Sequence, residues 1–289
     1  MSLSYGSEVF MKEVSNNPKF GIVTNTNRDN NLDYTKTLVS WLNGKNCNIF
    51  VIENVGKLKG TISASIKTMC ENCDFIITLG GDGTMLEVAP TCAEYNVPMV
   101  GINLGSVGYL TDAEMSHGLF AIQKILNRDY KIEKRMLIET LVDGKVYTAL
   151  NDICVIKGDT AKLITLNINI NGEYLDTYRA DGIIISTPTG STAYNLASGG
   201  PIIKPNVNTM VITPICPYKI YFRPVIVSGE DVLTISSQHD YSNVQIFIDG
   251  NSIKLNDKVD IKKSQKTVSI IRTSQQNFYD IFRKKFSVS

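Results

Sequence analysis

Phe75-Ile76-Ile77-Thr78-Leu79-Gly80-Gly81-Asp82-Gly83-Thr84-Met85-Leu86-Glu87-Val88-Ala89 reads as a strand, a glycine turn and the start of a helix. A short apolar run ahead of glycines suits a strand covered on both faces. Glycine permits positive φ and a close approach of the backbone to a ligand. The helix that opens after the turn offers free N–H groups and partial positive charge to anions. One carboxylate, Asp82, stands at the tip. Phosphate repels it unless it holds a metal or takes a proton. The combination points to phosphoryl transfer, with Asp82 as base or metal ligand.

The flanking sequence repeats the same alternation. Residues 20–24 and 48–52 read as strands, and 33–42 as a helix with Leu38, Val39, Trp41 and Leu42 near helical spacing. Residues 62–69 are predicted as a helix, 74–79 as the strand before the turn, 97–102 as a strand and 115–126 as a helix. Alternating strands and helices imply a parallel sheet with helices on both faces. Binding sites in such sheets lie at the carboxyl ends of strands. Both glycine-rich turns fall there: residues 80–84, and Asn103-Leu104-Gly105-Ser106-Val107-Gly108.

After about residue 127 the period changes to two. Ile164, Leu166, Ile168 and Ile170 alternate with Thr165, Asn167, Asn169 and Asn171, and Asn171-Gly172 follows as a hairpin turn. Asp143-Gly144 is another. Residues 232–235, 244–248 and 267–271 read as further strands, so this part is expected to be a β-sandwich. Residues 278–286 form an amphipathic, basic helix that returns to pack elsewhere. The expected domains are an α/β domain over 1–127 joined by a return segment 272–289, and a β-rich domain over 128–271.

The 289 residues carry a net charge of +1, which argues against bulk electrostatic binding to nucleic acid or membrane. No apolar stretch approaches the roughly 20 residues that span a bilayer. Residues 1–8 lack a basic region followed by an apolar core, so no signal peptide is expected. The six cysteines are scattered, as suits reduced thiols in a cytoplasm. Cys70-Glu71-Asn72-Cys73 has no second pair to complete a zinc site. Neither a Walker A sequence nor a complete GxGxxG occurs. His117 and His239 have no serine nucleophile motif nearby and are expected at the surface.

A second unusual stretch runs from Arg179 through Asp181-Gly182 and three isoleucines to Ser186-Thr187-Pro188-Thr189-Gly190-Ser191-Thr192-Ala193-Tyr194-Asn195. Its hydroxyls and loop N–H groups suit ribose and phosphate, and Tyr194 can stack on a ring. Alone, it is equally a polar turn between strands. Asn151-Asp152 interrupts an apolar run. An amide can pair with a purine edge and a carboxylate with ribose hydroxyls.

Taken together, these stretches resemble the NAD kinase family. The turn at 80–84 is also similar to turns in diacylglycerol and sphingosine kinases, and more loosely to those of 6-phosphofructokinases. The rest discriminates. Residues 103–110 resemble the family's NxGxLGFL stretch, and Asn151-Asp152 its Asn-Glu/Asp pair. Residues 181–201 resemble its DGxxxSTPTGSTAYxxSxGGP motif. Thr213-Pro214-Ile215-Cys216-Pro217 and Arg223-Pro224 resemble its TPIxPHxLxxRP motif. The likeness covers roughly residues 20 to 286.

The resemblance implies transfer of the ATP γ-phosphate to the adenosine ribose 2′-hydroxyl of NAD, giving NADP, with a divalent metal, usually Mg²⁺. It implies a phosphofructokinase-like (Rossmann-like) α/β domain, a C-terminal β-sandwich, and a homodimer or homotetramer whose subunits meet near the NAD site. It makes Asp82 the general base on the 2′-hydroxyl and lets Gly83 meet the phosphates. It gives Asn151 and Asp152 to adenine and ribose. Asp181, Thr189, Thr192, Ala193 and Tyr194 line the nicotinamide–ribose and adenine pockets, with Asn195, Leu196 and Ala197 beside them. Arg179 and Lys162 supply charge near phosphates, and Lys162 lacks the bidentate fork of the family's usual Arg. Asn251 stands where Gln is frequent, Tyr218 where His is, and Lys219 where a small polar residue is common. The NAD-contacting set falls in the β-rich domain, so the substrate is expected to bridge the two domains to reach Asp82.

Two alternatives remain at this level. A lipid or sphingoid kinase shares the 80–84 turn but has no reason to keep Asn151-Asp152. A catalytically silent NAD(P)-binding sensor gains nothing from a carboxylate beside phosphates.

Overall fold

The computed structural model describes residues 17–105, 108–239 and 241–286. Residues 1–8, read for a signal peptide, and Ser106 and Val107 of the second glycine turn lie outside them. The chain forms two compact units. The first runs to Lys134 and resumes at Val268; the second runs from Arg135 to Thr267.

In the first unit, strands β1 (Lys19–Thr24), β2 (Asn48–Ile52), β3 (Thr61–Ala64), β4 (Phe75–Gly80) and β5 (Met99–Asn103) alternate with helices α1 (Asp33–Asn43), α2 (Ile66–Asn72) and α3 (Asp82–Glu94). The short strand β6 (Ala113–Glu114) and helix α4 (Gly118–Leu126) follow. The sheet order β3-β2-β1-β4-β5 is parallel, which places the ends of β1, β4 and β5 side by side. Every residue of β4 is buried, as a doubly covered parallel strand requires. Phe20, Ile22, Phe75, Ile77, Val100 and Ile102 meet Leu38 and Leu42 of α1 and Ile122 and Ile125 of α4 in one core.

The helix expected over residues 62–69 is divided. Thr61–Ala64 is an edge strand beside β2, and the helix starts one residue after Ser65. The Ser65 hydroxyl accepts the N–H of Thr68 at 3.2 Å, so it caps the helix there. The β-branched Thr61 and Ile62 before the cap suit the strand.

The second unit is antiparallel. Its strands are β7 (Lys131–Val142, most of it), β8 (Lys145–Ala149), β9 (Asp152–Lys157), β10 (Ile164–Ile170), β11 (Glu173–Ala180), β12 (Gly182–Ser186), β13 (Thr209–Ile215), β14 (Val225–Ser228), β15 (Leu233–Ser237), β16 (Val244–Ile248), β17 (Asn251–Lys254) and the first part of β18 (Val259–Arg272). One sheet is ordered β14-β13-β12-β9-β16-β17, and another runs β11-β10-β15-β18. Val155, Ile183, Ile185, Ile212 and Ile246 of the first share a core with Leu166, Ile168, Leu233, Ile235 and Ile261 of the second, which makes a β-sandwich. Asn171-Gly172 and Asp143-Gly144 turn with positive φ at both residues (53° and 86°; 49° and 76°), as hairpins of this kind demand. A one-turn helix, α5 (Tyr194–Ala197), follows β12, and α6 (Phe278–Phe286) belongs to the first unit.

Candidate active site

Asp82 is the first residue of α3, and Gly81 before it is extended at φ −135°. None of Gly80, Gly81 and Gly83 takes a positive φ. The left-handed turn expected from the glycines is therefore absent, and room is what they provide. A β-carbon on Gly80 would stand 2.2 Å from the Thr84 hydroxyl. Gly83 is exposed with nothing within 4 Å of its missing β-carbon, so the N-terminus of α3 is open to a ligand.

The Asp82 carboxylate is held from one side. Oδ2 accepts the Tyr109 N–H at 2.8 Å, and Oδ1 accepts those of Leu110 at 3.1 Å and Thr111 at 3.4 Å. The carbonyls of the same residues accept from Arg272: Nη1 donates to Leu110 and Thr111 O at 3.0 Å each, and Nη2 to Tyr109 O at 3.1 Å. Glu133 Oε2 holds Arg272 Nε at 2.9 Å. Residues 109–111 are thus clamped between a carboxylate on their N–H side and a guanidinium on their carbonyl side. A carboxylate offers about four lone-pair positions. Among the described residues, these N–H groups fill those on Oδ1 and one on Oδ2, which leaves the second Oδ2 position for a proton or an ion.

Gly108 makes that arrangement possible. A β-carbon there would stand 2.0 Å from Asp82 Oδ1 and 2.8 Å from the Thr111 hydroxyl. Gly108→Ala is predicted to push the carboxylate off its N–H donors and lower turnover at least about tenfold, since small misplacements of reacting groups are costly. Steady-state rates with circular dichroism of the variant check this; a folded G108A with parental turnover refutes it.

In the second unit, Asp249 plays the corresponding holding role. Its carboxylate accepts the N–H groups of Leu150 at 2.7 Å, Asn151 at 2.8 Å and Asp152 at 3.1 Å. The Thr187 hydroxyl donates to Leu150 O at 2.6 Å, and Thr187 N–H to Asn151 O at 2.9 Å. Gly190 packs so closely on this segment that a β-carbon would stand 2.1 Å from Asn151 O. The strand-to-loop junction carrying Asn151-Asp152 is therefore pinned on both sides.

Asp152 is 7% exposed. Burial raises its pKa from 3.8 to about 6; the Cys154 thiol, donating at 3.2 Å, lowers it and the Asp249 charge raises it. A raised value means that the folded state favours the neutral acid more than the unfolded chain does. That stabilisation is complete below the unfolded value of 3.8 and is lost as pH rises through about 6. Asp152→Asn, neutral throughout, is predicted to gain about 2 kcal/mol on the parent between about pH 4 and pH 7. Thermal unfolding of both proteins at the two pH values measures the gap; a constant gap refutes the assignment.

The remaining candidates sit on the 179–197 stretch and its neighbours. Thr189 Oγ1 accepts from Arg135 Nη1 at 3.2 Å, and Thr192 Oγ1 donates to Thr189 O at 3.3 Å. Ala193 is half-buried, while Tyr194 is 42% exposed. Leu196 is half-buried and Ala197 exposed on the same helical turn. Asp181 pairs with Lys157 at 2.6 Å. The Arg179 guanidinium lies 5.2 Å from the Tyr218 ring centroid. Lys162 and Asn251 are exposed, and Lys219 lies over the rings of Tyr221 and Phe222.

Asn195 differs from the expectation of a ligand contact. It is fully buried; its Nδ2 donates to Ser191 O and Pro201 O at 3.1 Å each, and its Oδ1 accepts from Thr213 at 2.6 Å. A side chain so committed braces the loop. Its partners lie up to 18 residues away, which the sequence does not show.

Two supporting residues escaped the sequence reading: Arg272, and Asp112, whose carboxylate holds Thr273 N–H at 3.0 Å. Acid–Gly before a polar residue marks the Asp249 turn, but nothing marks what its carboxylate holds. His117 and His239 are exposed, as expected. All six cysteines are free thiols, and Cys70 and Cys73 are buried. Among the described residues, no three His, Cys, Asp or Glu side chains gather as metal ligands. Mg²⁺ keeps several waters and binds largely through substrate phosphates, so it needs no such cluster; the one open position on Asp82 Oδ2 fits either an ion or a proton, one at a time. No helix among the described residues is long and apolar enough to cross a membrane.

Residues 20–130 match the ATP-NAD kinase N-terminal domain, and residues 150–273 match the ATP-NAD kinase C-terminal domain. The chain is 39% identical over 279 residues to an NAD kinase of Thermoanaerobacter sp. (strain X514), covering 93% of this chain and 99% of that one. It is 38% identical over 277 residues to an NAD kinase of Chlorobium phaeobacteroides (strain BS1), covering 92% and 96%. Among solved structures it is similar to an NAD kinase from Archaeoglobus fulgidus in complex with ATP, with a TM-score of 0.77, 25% identity and coverage of 94% and 100%. Yeast NADH kinase complexed with NADH shares the fold, with a TM-score of 0.84, 24% identity and coverage of 95% and 89%.

Proposed function

Because the chain belongs to the ATP-NAD kinase family, we propose that Asp82 is the general base of the family's reaction. That reaction is phosphorylation of NAD by ATP at the adenosine ribose 2′-hydroxyl, giving NADP. The lipid-kinase and silent-sensor alternatives find no support among the relatives.

The observation that carries the role of Asp82 is its one open lone pair above an open helix N-terminus. A ribose hydroxyl is a weak nucleophile and needs its proton removed as the new bond forms. Asp82 Oδ2 takes that proton. The ribose oxygen bonds to the γ-phosphorus, the bond to the β,γ-bridging oxygen breaks, and ADP leaves with that electron pair. The N–H groups at the start of α3 face the phosphoryl oxygens, which carry most of the charge. A divalent cation, Mg²⁺ by the family pattern, would neutralise phosphate charge when bound, with the phosphate oxygens themselves among its ligands, while the open position on Asp82 is kept for the ribose proton.

Recognition of NAD rests on the second unit's residues. The Asn151 amide pairs with the adenine edge and Asp152 accepts from ribose hydroxyls. Thr189, Thr192, Ala193 and Tyr194 line the nucleoside pockets, with Leu196, Ala197 and Asn251 at their rim and Asp181 on the nicotinamide side. Arg179 and Lys162 meet phosphates. The free thiols and near-zero net charge support a cytoplasmic protein. The exposed run Tyr218, Ile220 and Tyr221 supports a homodimer or homotetramer.

The test is direct. The protein is incubated with NAD, ATP and Mg²⁺, and NADP is measured with an NADP-specific dehydrogenase. NADP accumulation is expected; folded protein that makes none would sink the reading.

A further inference from the structure

Arg28 lies in the loop after β1, in a stretch that carries no motif. The backbone there is fixed from both sides. Asn25 N–H donates to Leu79 O at 2.8 Å, which ties the end of β1 to the end of β4. Asn25 O accepts Arg28 N–H at 3.0 Å and Asp29 N–H at 3.1 Å. Asp29, 5% exposed, accepts the N–H groups of Tyr34 at 3.0 Å and Thr35 at 2.8 Å and so anchors the loop to α1.

From this frame the guanidinium crosses the ends of two neighbouring strands. Arg28 Nη1 lies 2.9 Å from where a β-carbon on Gly81 would stand and 3.0 Å from where one on Gly105 would stand. Gly81 follows β4 and Gly105 follows β5, so one cation lies beside a glycine of each of two neighbouring strand ends, at the carboxyl edge of the sheet. The absence of side chains at 81 and 105 gives it the room. Arg28 remains solvent-exposed, and its N–H fork is matched in geometry to phosphate oxygens.

We propose that Arg28 binds the phosphate chain of the nucleoside triphosphate donor, a role that rests on the phosphoryl-transfer reading above. The acceptor-recognising residues lie in the second unit, whereas Arg28, both glycine turns and Asp82 belong to the first. Arg28 therefore acts on the donor.

The test is kinetic, with direct binding beside it. Arg28→Ala is expected to raise KM for ATP about tenfold or more, with KM for NAD within about twofold of the parent. Arg28→Lys keeps the charge but loses the fork and should recover only part of the loss; guanidinium ion added to R28A should restore activity. Gly105→Ala displaces only the far end of a flexible side chain, so it should keep the fold and shift KM for ATP the same way. The double variant R28A/G105A should be no worse than R28A, because both remove one interaction. A parental KM for ATP in R28A overturns the proposal, as does a rise confined to NAD or additive effects in the double variant. If the parent itself makes no NADP, the proposed function fails, and calorimetric titration of parent and R28A with ATP still decides the role of Arg28.

Discussion

Asp82→Asn is expected to cut turnover by about two to four orders of magnitude while the protein folds and still binds NAD. Asparagine has nearly the shape of aspartate, and its carbonyl oxygen keeps accepting from Leu110 and Thr111. The amide nitrogen then occupies the Oδ2 position. It has no lone pair for the ribose proton, and it faces the Tyr109 N–H, 2.8 Å from Oδ2 in the parent, as donor against donor. That lost bond is expected to lower stability by about 1–2 kcal/mol. The kinetic loss thus far exceeds what the stability loss explains. NADP formation rates, read alongside thermal unfolding and NAD titration, separate the effects. Near-normal turnover in D82N removes Asp82 from the role of base.

Asp249→Ala should strongly destabilise the second unit. It strips the acceptor from the N–H groups of Leu150, Asn151 and Asp152 together. Unpaired, partly buried N–H groups cost about 1 kcal/mol or more each, so a loss of about 3 kcal/mol is expected by urea unfolding. Burial raises the Asp249 carboxyl above its usual range, and the N–H groups pull it back down, so the site and the carboxylate support each other. The freed segment is the one that carries Asn151 and Asp152, and KM for NAD should rise about tenfold. Asp249→Asn keeps one acceptor oxygen and should fall between. If D249A unfolds at the parental urea concentration, the three bonds are not a structural brace.

Local regularities carried most of the architecture. The strand 48–52 and the strand 244–248 agree with β2 and β16, because apolar period and turn chemistry are written into consecutive residues. The error at residues 62–69 arose where Ile62, Ile66 and Met69 mimic helical spacing across a Ser65 cap. The site was legible only where side-chain identity matters. Gly80–Thr84 and Asn151-Asp152 stand out by composition. Asp249, Arg272 and Arg28 act on backbone groups or open space, and every residue type but proline has the same N–H and carbonyl. No pattern around Tyr109–Thr111 announces which carboxylate or guanidinium will meet them. Asn195 shows the converse: a residue in a conspicuous stretch whose side chain serves the loop itself.

The clamp on residues 109–111 also sets a clock on the ribosome. Leu110 accepts from an arginine 162 residues further along. At about 5–20 residues per second, roughly ten to thirty seconds of synthesis separate the two. Asp82, its glycine turn and its N–H donors have all emerged by then, without the guanidinium that fixes them. The nascent chain therefore carries Asp82 and its N–H donors well before it carries the guanidinium that holds those donors still, so activity waits for β18.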